Sequence, residues 1–214
     1  MKTRFLALAL VLASLGAYAQ GKMIFGNDSL HLIVFHPFYL TPDYWPYAGQ
    51  PVPQSVFPSF TAQVYAGTSP STMTLQLTRS GSEVGAILLD PGRLASANFV
   101  LGGVPGGEPA YFQVLLFETV AGSYDNAVAN YFVHGGSPVF TATPGPGLAY
   151  NSMVIHGGPS FSTWPDAPIV LSTIPEPSSV ALATLGVIAL LAQRRGRCSL
   201  TGFRNTLLPA DRRR

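Results

Sequence analysis

Residues 60–67 read FTAQVYAG, and this stretch indicates the fold class more clearly than any other. Its apolar side chains recur at every second position from Phe60 to Ala66, while Thr61, Gln63 and Tyr65 lie between them. A period of two places alternate side chains on opposite faces of an extended chain. The stretch therefore predicts a strand with one face in a core and the other towards solvent.

Similar short runs follow along the chain, each bounded by glycine, proline or other turn residues. The run at 110–119, AYFQVLLFET, is apolar on both faces, so we expect it to lie centrally in a sheet. The other predicted strands are at 73–78, 84–89, 97–101, 138–143, 151–156 and 168–173, with turns at 90–93, 102–109, 143–147 and 156–159. About eight to ten strands at this spacing favour an all-β fold, a single antiparallel β-sandwich that is Ig-like or jelly-roll-like. We expect this sandwich to be one domain over residues 20–173.

One segment of this predicted domain has helical character. Ser123 is a suitable N-cap for a short helix over 124–132, and the Gly-Gly pair that follows is suited to end it. Ala127, Val128 and Tyr131 would form its buried stripe. We therefore expect one short helix beside the strands.

Charge is unevenly distributed between the body and the two ends of the chain. The full sequence has 12 Lys+Arg and 10 Asp+Glu, but residues 20–173 contain three cations and eight carboxylates, a formal charge of −5 with His neutral. An acidic body without a basic cluster lacks the electrostatic footprint for phosphate backbones, so we expect no nucleic-acid partner. The one cysteine, Cys198, lies outside the body, which excludes a cysteine nucleophile there.

The amino terminus has the parts of a secretory signal peptide. Lys2 and Arg4 precede an apolar run, and Ala17 and Ala19 give the small-x-small pattern that signal peptidase cuts. The apolar run is too short for a spanning helix. We therefore predict that residues 1–19 are a signal peptide, which signal peptidase removes on export.

The carboxyl-terminal region carries a second apolar segment between two distinct flanks. Pro175, Glu176 and Pro177 come first, an uncharged apolar run fills 180–192, and a basic cluster follows. The prolines keep their stretch out of helices and sheet ladders, so it stays accessible to a protease. As a helix, residues 180–192 span about 20 Å of a bilayer core of roughly 30 Å, and Ser178, Ser179 and Gln193 bring the run nearer to that length. Cations directly after an apolar run favour the cytoplasmic side, which predicts a transmembrane helix with the body outside. The basic cluster is Arg194, Arg195 and Arg197, and a basic tail occupies 198–214.

In this order, the features of residues 174–197 resemble the PEP-CTERM sorting signal of bacterial exported proteins. The resemblance implies recognition by an exosortase, a membrane-embedded protease thought to cut near the Pro-Glu-Pro motif and to release or transfer the protein. It implies a transient inner-membrane intermediate and a final place at the cell surface or in the extracellular matrix. Because the family is associated with exopolysaccharide-producing bacteria, it also implies an exopolysaccharide partner. The tail departs from the pattern, since such signals usually stop soon after the arginines.

Residue types that carry catalysis or bind metals form no recognisable motif in the body. Its four histidines lack metal-ligand spacing, and no Gly-x-Ser-x-Gly elbow occurs. We expect no catalytic residue, no cofactor and no metal site, although the sequence leaves open a calcium ion on loop carboxylates or a carboxylate pair that meets only in space. His134 and His156 each precede Gly-Gly, and we interpret both as turn positions. The N-x-Ser pattern at Asn27 is interpreted as a chance match.

Clustered aromatic side chains give the best indication of a binding surface. The segment at 35–47 contains Tyr44, Trp45 and Tyr47 among prolines, and Trp164 begins a second Trp-Pro pair. Exposed flat rings suit sugar faces, so one alternative function is a carbohydrate-binding module that uses these four side chains. The other interpretation is that the rings pack beneath the sandwich. Our primary hypothesis is an exported, non-enzymatic surface or matrix protein, and a polysaccharide-active enzyme is a third.

Overall fold

A computed structural model of the protein describes residues 20–85, 89–155 and 161–174. The chain divides after Ile174, and all described residues belong to the first of its two units, Met1–Ile174. The predicted signal peptide, the Pro-Glu-Pro motif, the apolar run at 180–192, the arginine cluster and the tail lie outside the described residues, as does His156.

Strands make up most of the regular structure, with few helices, as expected for an all-β protein. The strands are β1 (Gln20–Phe25), β2 (Ile33–Phe35), β3 (Phe60–Gly67), β4 (Thr74–Ser80), β5 (Ala97–Pro105), β6 (Ala110–Glu118), β7 (His134–Gly136), β8 (Phe140–Ala142), β9 (Asn151–Ser152) and β10 (Ile169–Leu171). The helices are α1 (Tyr124–Ala129) and the short 3₁₀ helices Pro42–Tyr47, Phe57–Ser59, Pro70–Thr72, Gly81–Glu83 and Thr119–Ala121.

The largest sheet contains five strands in the order β4-β3-β6-β7, with β8 also paired to β6. Every pairing in this sheet is antiparallel. β3 keeps most of its predicted alternation, since Phe60, Ala62 and Val64 are buried while Gln63 and Tyr65 are only half-buried. Thr61, predicted on the solvent face, is buried. β6 has partners on both sides, which confirms the central position that its apolar character predicts.

Helix α1 packs against β6 on the side away from the main core. Ser123 caps it as predicted, because its Oγ accepts a hydrogen bond from the Asn126 backbone N–H at 3.2 Å. Ala127 is buried with Phe117 of β6 in a small second cluster. The helix ends before Tyr131, which has a φ of +58° and is 65% exposed. The prediction that Tyr131 lies in the buried stripe is therefore wrong.

Two smaller sheets complete the described body. One has the order β5-β1-β9, and the other pairs β10 with β2. The β1–β9 and β2–β10 pairs are parallel, so the prediction of a purely antiparallel arrangement is wrong. Both pairs join a strand from the start of the body to one from its end. Because the paired strands are far apart in the sequence, no tight turn joins them, and the sequence gives no local signal of their pairing.

Side chains from all three sheets enter one buried cluster. Met23, Phe35, Val64, Phe112 and Leu171, which come from five different strands, are all 0% exposed. Removing this apolar surface from water is the main favourable contribution to folding.

Several strand predictions need correction. β1, β2 and β7 are strands that the sequence does not predict, and β7 contains His134, which is buried rather than in a turn. A Cβ at Gly135 would meet the carbonyl oxygen of Val170, so glycine here permits close approach of two strands. The described residues of the predicted strand at 84–89 belong to no strand. β4 is an edge strand, and its Leu75 is 47% exposed.

Candidate functional site

The aromatic segment at 35–47 leaves β2 and enters the 3₁₀ helix Pro42–Tyr47. Prolines at positions 42 and 46 restrict the backbone of this helix. Two neighbours in the helix point in opposite directions, since Tyr44 is 9% exposed and Trp45 is 62% exposed. The segment therefore has an inner face and an outer face.

On the inner face, Tyr44 and Tyr47 stack on Phe35, with ring centroids 5.1 Å and 6.1 Å from it. The Tyr44 hydroxyl donates to Oε1 of Glu118 at 2.9 Å, and Oε2 of Glu118 accepts from the Val133 backbone N–H at 2.8 Å. Burial, reinforced by the charge of Glu118, raises the pKa of Tyr44 well above its ordinary value, so the hydroxyl stays a donor. Glu118 thus joins the aromatic segment to the end of β6.

On the outer face, Phe38, Tyr39 and Trp45 are 79%, 48% and 62% exposed, and we call these three side chains the aromatic patch. His36 fixes their loop, because its Nδ1 accepts from the backbone N–H of Phe38 at 3.1 Å and of Tyr39 at 3.2 Å. Its ring also stacks on Tyr39, with centroids 4.6 Å apart. Trp45 Nε1 donates to the Leu40 carbonyl at 3.0 Å. Hydrogen bonds therefore hold the patch on one continuous loop.

The patch lies beside the segment at 172–174, where the chain leaves the described body. β2 and β10 are parallel, so the loop after β2 and the residues after β10 emerge at the same end of the pair. The Thr173 backbone N–H donates to the Tyr39 carbonyl at 3.0 Å. On the other side, Ser172 and His134 exchange two backbone hydrogen bonds, of 2.8 Å and 2.9 Å. The exit segment is thus fixed between the patch loop and β7.

Trp164 lies in the core and does not contribute to the patch. It is 1% exposed, and its ring stacks on Phe140 with centroids 4.6 Å apart, while the His31 ring is 4.9 Å away. A ring covered in this way offers no face to a sugar. Of the four aromatic residues considered for glycan binding, only Trp45 is exposed, because Tyr44 and Trp164 are buried and Tyr47 packs against the core.

The sequence did not predict a contact between the buried His31 and two carboxylates at the surface. His31 is 0% exposed, its Nδ1 is 2.6 Å from Oδ1 of Asp28, and its Nε2 is 3.8 Å from Oδ1 of Asp166. Burial acts to raise the pKa of Asp28, but hydrogen bonds from His31 and from the Leu30 backbone outweigh it and hold that pKa below its ordinary value. The spacing of three residues between Asp28 and His31 is the one local signal of this contact.

Asn27 ties the same loop to residues 92–94. Its side chain is buried, and its Nδ2 donates to the carbonyls of His31 at 2.7 Å and Gly92 at 2.8 Å. Its Oδ1 accepts from the Leu94 backbone N–H at 2.7 Å. Both amide hydrogens are used within the fold, so this position serves structure and is unsuited to carry a glycan.

The described residues do not assemble a recognisable metal site. Within 20–85, 89–155 and 161–174, no group of three or more His, Cys, Asp or Glu side chains is arranged to hold a metal ion. A surface recess of about 240 Å³ is lined by Gln20, Gly103, Val104 and Pro105, whose side chains do not titrate. Ligand pockets usually measure about 300 to 1,000 Å³ and contain placed polar groups. The recess therefore gives no indication of a catalytic centre.

A comparison with known families identifies the segment that follows the body. A family model described as the PEP-CTERM protein-sorting motif matches residues 173–195. The chain carries a PEP-CTERM sorting motif. The matched range includes the Pro-Glu-Pro sequence at 175–177 together with Arg194 and Arg195, while Arg197 lies just beyond it. The resemblance noted in the sequence is thereby confirmed, and the motif implies an exported protein that passes through a membrane and is processed by an exosortase.

Two further comparisons found no match. No curated protein and no solved structure matches the chain. The helices among residues 20–85, 89–155 and 161–174 lack the length and hydropathy of a membrane-spanning segment. The predicted membrane helix at 180–192 and the signal peptidase site at Ala17 and Ala19 lie outside these ranges, so both stay predictions.

Proposed function

We propose that this chain is an exported, non-enzymatic protein that acts at the cell surface or in the extracellular matrix. Signal peptidase removes residues 1–19, the apolar run at 180–192 anchors the intermediate in the inner membrane, and an exosortase cuts near residues 175–177. The observation that carries the proposal is the place of the sorting motif. Its match begins at residue 173, two residues after β10 ends, so a cut at the motif leaves every described strand with the body.

The contacts of the polar side chains support a role without catalysis. Glu118 uses both carboxylate oxygens in hydrogen bonds that join the aromatic segment, β6 and Val133. His31 is buried between Asp28 and Trp164. These residues hold the body together, which is the usual use of satisfied buried polar groups. The proposed association with exopolysaccharide rests on the family to which the motif belongs.

For the body we propose a β-sandwich fold. One cluster of buried side chains takes members from all three sheets, as expected when the inner faces of sheets pack on one another. The two parallel pairs mean that such a sandwich differs from a purely antiparallel Ig-like or jelly-roll arrangement.

Cell fractionation with and without an exosortase tests the proposed sorting. Replacing Pro175, Glu176 and Pro177 together by alanine should leave the full-size anchored form in the membrane fraction, while the parent protein is released. Replacing Pro70 by alanine, at the start of an exposed 3₁₀ helix, is the matched control and should not change sorting. Release of the triple variant at the parent rate would contradict the proposal, as would retention of the parent protein in the cytosol.

A second candidate function is carbohydrate binding by the aromatic patch. Trp45 supports it, because its ring is 62% exposed and its loop is fixed by hydrogen bonds. Stacking of a sugar on such a ring requires the flat aromatic face, so Trp45→Ala should abolish binding to the host's exopolysaccharide in a pull-down experiment. Leu148→Ala, at another exposed apolar residue, should leave binding unchanged. Unaltered binding by the Trp45 variant would eliminate this candidate.

A further inference from the structure

The aromatic patch is unusual for its chemistry as well as for its exposure. Phe38 and Trp45 are more than half exposed although Phe35 and Tyr44, in the same segment, are buried in the core. Between residues 36 and 47 there is no Lys or Arg, and Asp43 is the one carboxylate. The patch therefore presents three aromatic rings, of which Tyr39 carries a hydroxyl, and its loop has no Lys or Arg. Side chains of this kind collect where an apolar phase meets water.

The distance from the patch to the predicted membrane segment is short. The Thr173 backbone N–H bonds to the Tyr39 carbonyl at 3.0 Å, and Ile174, the next residue, is 44% exposed. The apolar run begins at Val180, six residues beyond Ile174. Six residues reach at most about 21 Å even when fully extended. An anchor that enters the bilayer at Val180 therefore keeps the patch end of the body close to the membrane surface.

We propose that the aromatic patch contacts the interfacial layer of the lipid bilayer while the chain is still anchored through residues 180–192. The inference rests on the proposed function, because it requires that run to enter the membrane. The short connection holds the patch at a high local concentration next to the bilayer, so even a weak contact is populated. Trp and Tyr rings are enriched at this depth because their apolar bodies enter the acyl boundary while their polar edges stay near water.

The contact has two physical consequences. Because no cation lies in the patch loop, binding does not depend on anionic lipids and responds weakly to salt. Three exposed rings without an anchor bind a bilayer only weakly, so a cut near residues 175–177 frees the body from the membrane. The patch thus orients the sorting motif at the membrane surface before the cut and does not retain the product afterwards.

Tryptophan fluorescence of residues 20–214, the form without the predicted signal peptide, in phosphatidylcholine vesicles tests the inference. The chain has two tryptophans, and only Trp45 is exposed. Brominated lipids should remove most of the Trp45 emission, and lipid should protect it from aqueous acrylamide. The variant Trp45→Phe reports Trp164 alone, whose emission should stay unchanged by either quencher. The same quenching is expected without anionic lipid and at 0.5 M salt, about five times the ionic strength at which the Debye length is 10 Å.

Variants separate the patch from other exposed apolar side chains. The double change Phe38→Ser with Tyr39→Ser should restore acrylamide access to Trp45, because two of the three rings that enter the interface are lost. Leu148→Ser, at a residue that is 91% exposed elsewhere on the body, should leave the lipid quenching as it is.

The outcomes also separate this inference from the proposed function. If the chain floats with the vesicles but Trp45 is open to acrylamide and untouched by brominated lipid, the inference is overturned and the proposed anchoring stands. If Trp45 becomes protected only when an exosortase is reconstituted with the chain, or only by polysaccharide, the partner is a protein or a glycan and the inference is again overturned. If the chain does not float at all, the anchor itself is wrong, and both proposals fall.

Discussion

Replacing Trp164 by alanine should destabilise the body severely, whereas Trp45→Ala should leave its stability almost unchanged. Trp164 is 1% exposed, and its ring stacks on Phe140. Truncating a buried tryptophan loses its transfer free energy and leaves a cavity, which costs about 3–5 kcal/mol, so we expect about 4 kcal/mol here. Trp45 is 62% exposed and donates one hydrogen bond to Leu40, so we expect a loss below about 1 kcal/mol.

A third variant isolates the ring contact at the buried site. Trp164→Phe keeps an aromatic ring against Phe140 and loses no hydrogen bond, since the indole Nε1 of Trp164 has no partner within the described residues. We expect its cost to be about 1–2 kcal/mol, between those of the two alanine variants.

Urea unfolding of residues 20–174, followed by far-ultraviolet circular dichroism, measures these differences without relying on tryptophan emission. With an m-value of about 2 kcal/mol/M, a loss of about 4 kcal/mol lowers the midpoint by about 2 M. The Trp45 variant should shift it by less than about 0.5 M. Equal shifts for the two alanine variants, or a larger shift for Trp45→Ala, would refute the assignment of one tryptophan to the core and the other to the surface.

The remaining predictions concern polar contacts and use the same unfolding measurement. Asp28→Asn should weaken the loss of stability in acid: the pKa of Asp28 lies below its ordinary 3.8 in the folded protein, so its contribution is present above that value and disappears as pH falls through the folded pKa. The difference in stability between the parent protein and this variant should therefore be full well above pH 3.8 and shrink as pH falls through the folded pKa of Asp28, and a difference that does not change with pH would contradict the contact with His31. Asn27→Ala should cost about 3 kcal/mol because the His31 carbonyl and the Leu94 N–H lose a buried partner, although the Gly92 carbonyl keeps the Ile33 N–H, while the exposed Asn98→Ala should change little. Glu118→Ala should cost about 2 kcal/mol, since a hydroxyl and a backbone N–H lose their acceptor; an equal loss for the exposed Glu108→Ala would argue against that role.

Local patterns in the sequence predicted the centre of the largest sheet. β3 and β6 are long, and their apolar positions follow the periodicity that a strand imposes on burial. The cap of α1 was also predictable, because Ser123 satisfies an N–H only three residues away. The alternation of a strand and the cap of a helix both depend on residues a few positions apart. The sequence therefore predicts them directly.

The parallel pairs and the direction of individual rings could not be predicted in this way. β2 and β10 meet across more than 130 residues, and each is only three residues long. Tyr44 and Trp45 are adjacent aromatic residues. In the short 3₁₀ helix, however, the Tyr44 ring points into the core and the Trp45 ring points to solvent. The contact of His31 with Asp166 likewise depends on tertiary packing alone. The sorting motif was predictable because its features lie in order along 23 residues that match one family model.

The proposed removal of both terminal segments can be measured by the intact mass of the protein recovered outside the cells of its native host. We expect one species that begins at Gln20 and ends near residues 175–177, because both terminal segments are removed during export. Recovery of the full-length, unprocessed chain from the cytosol, with no shorter form outside the cells, would contradict it.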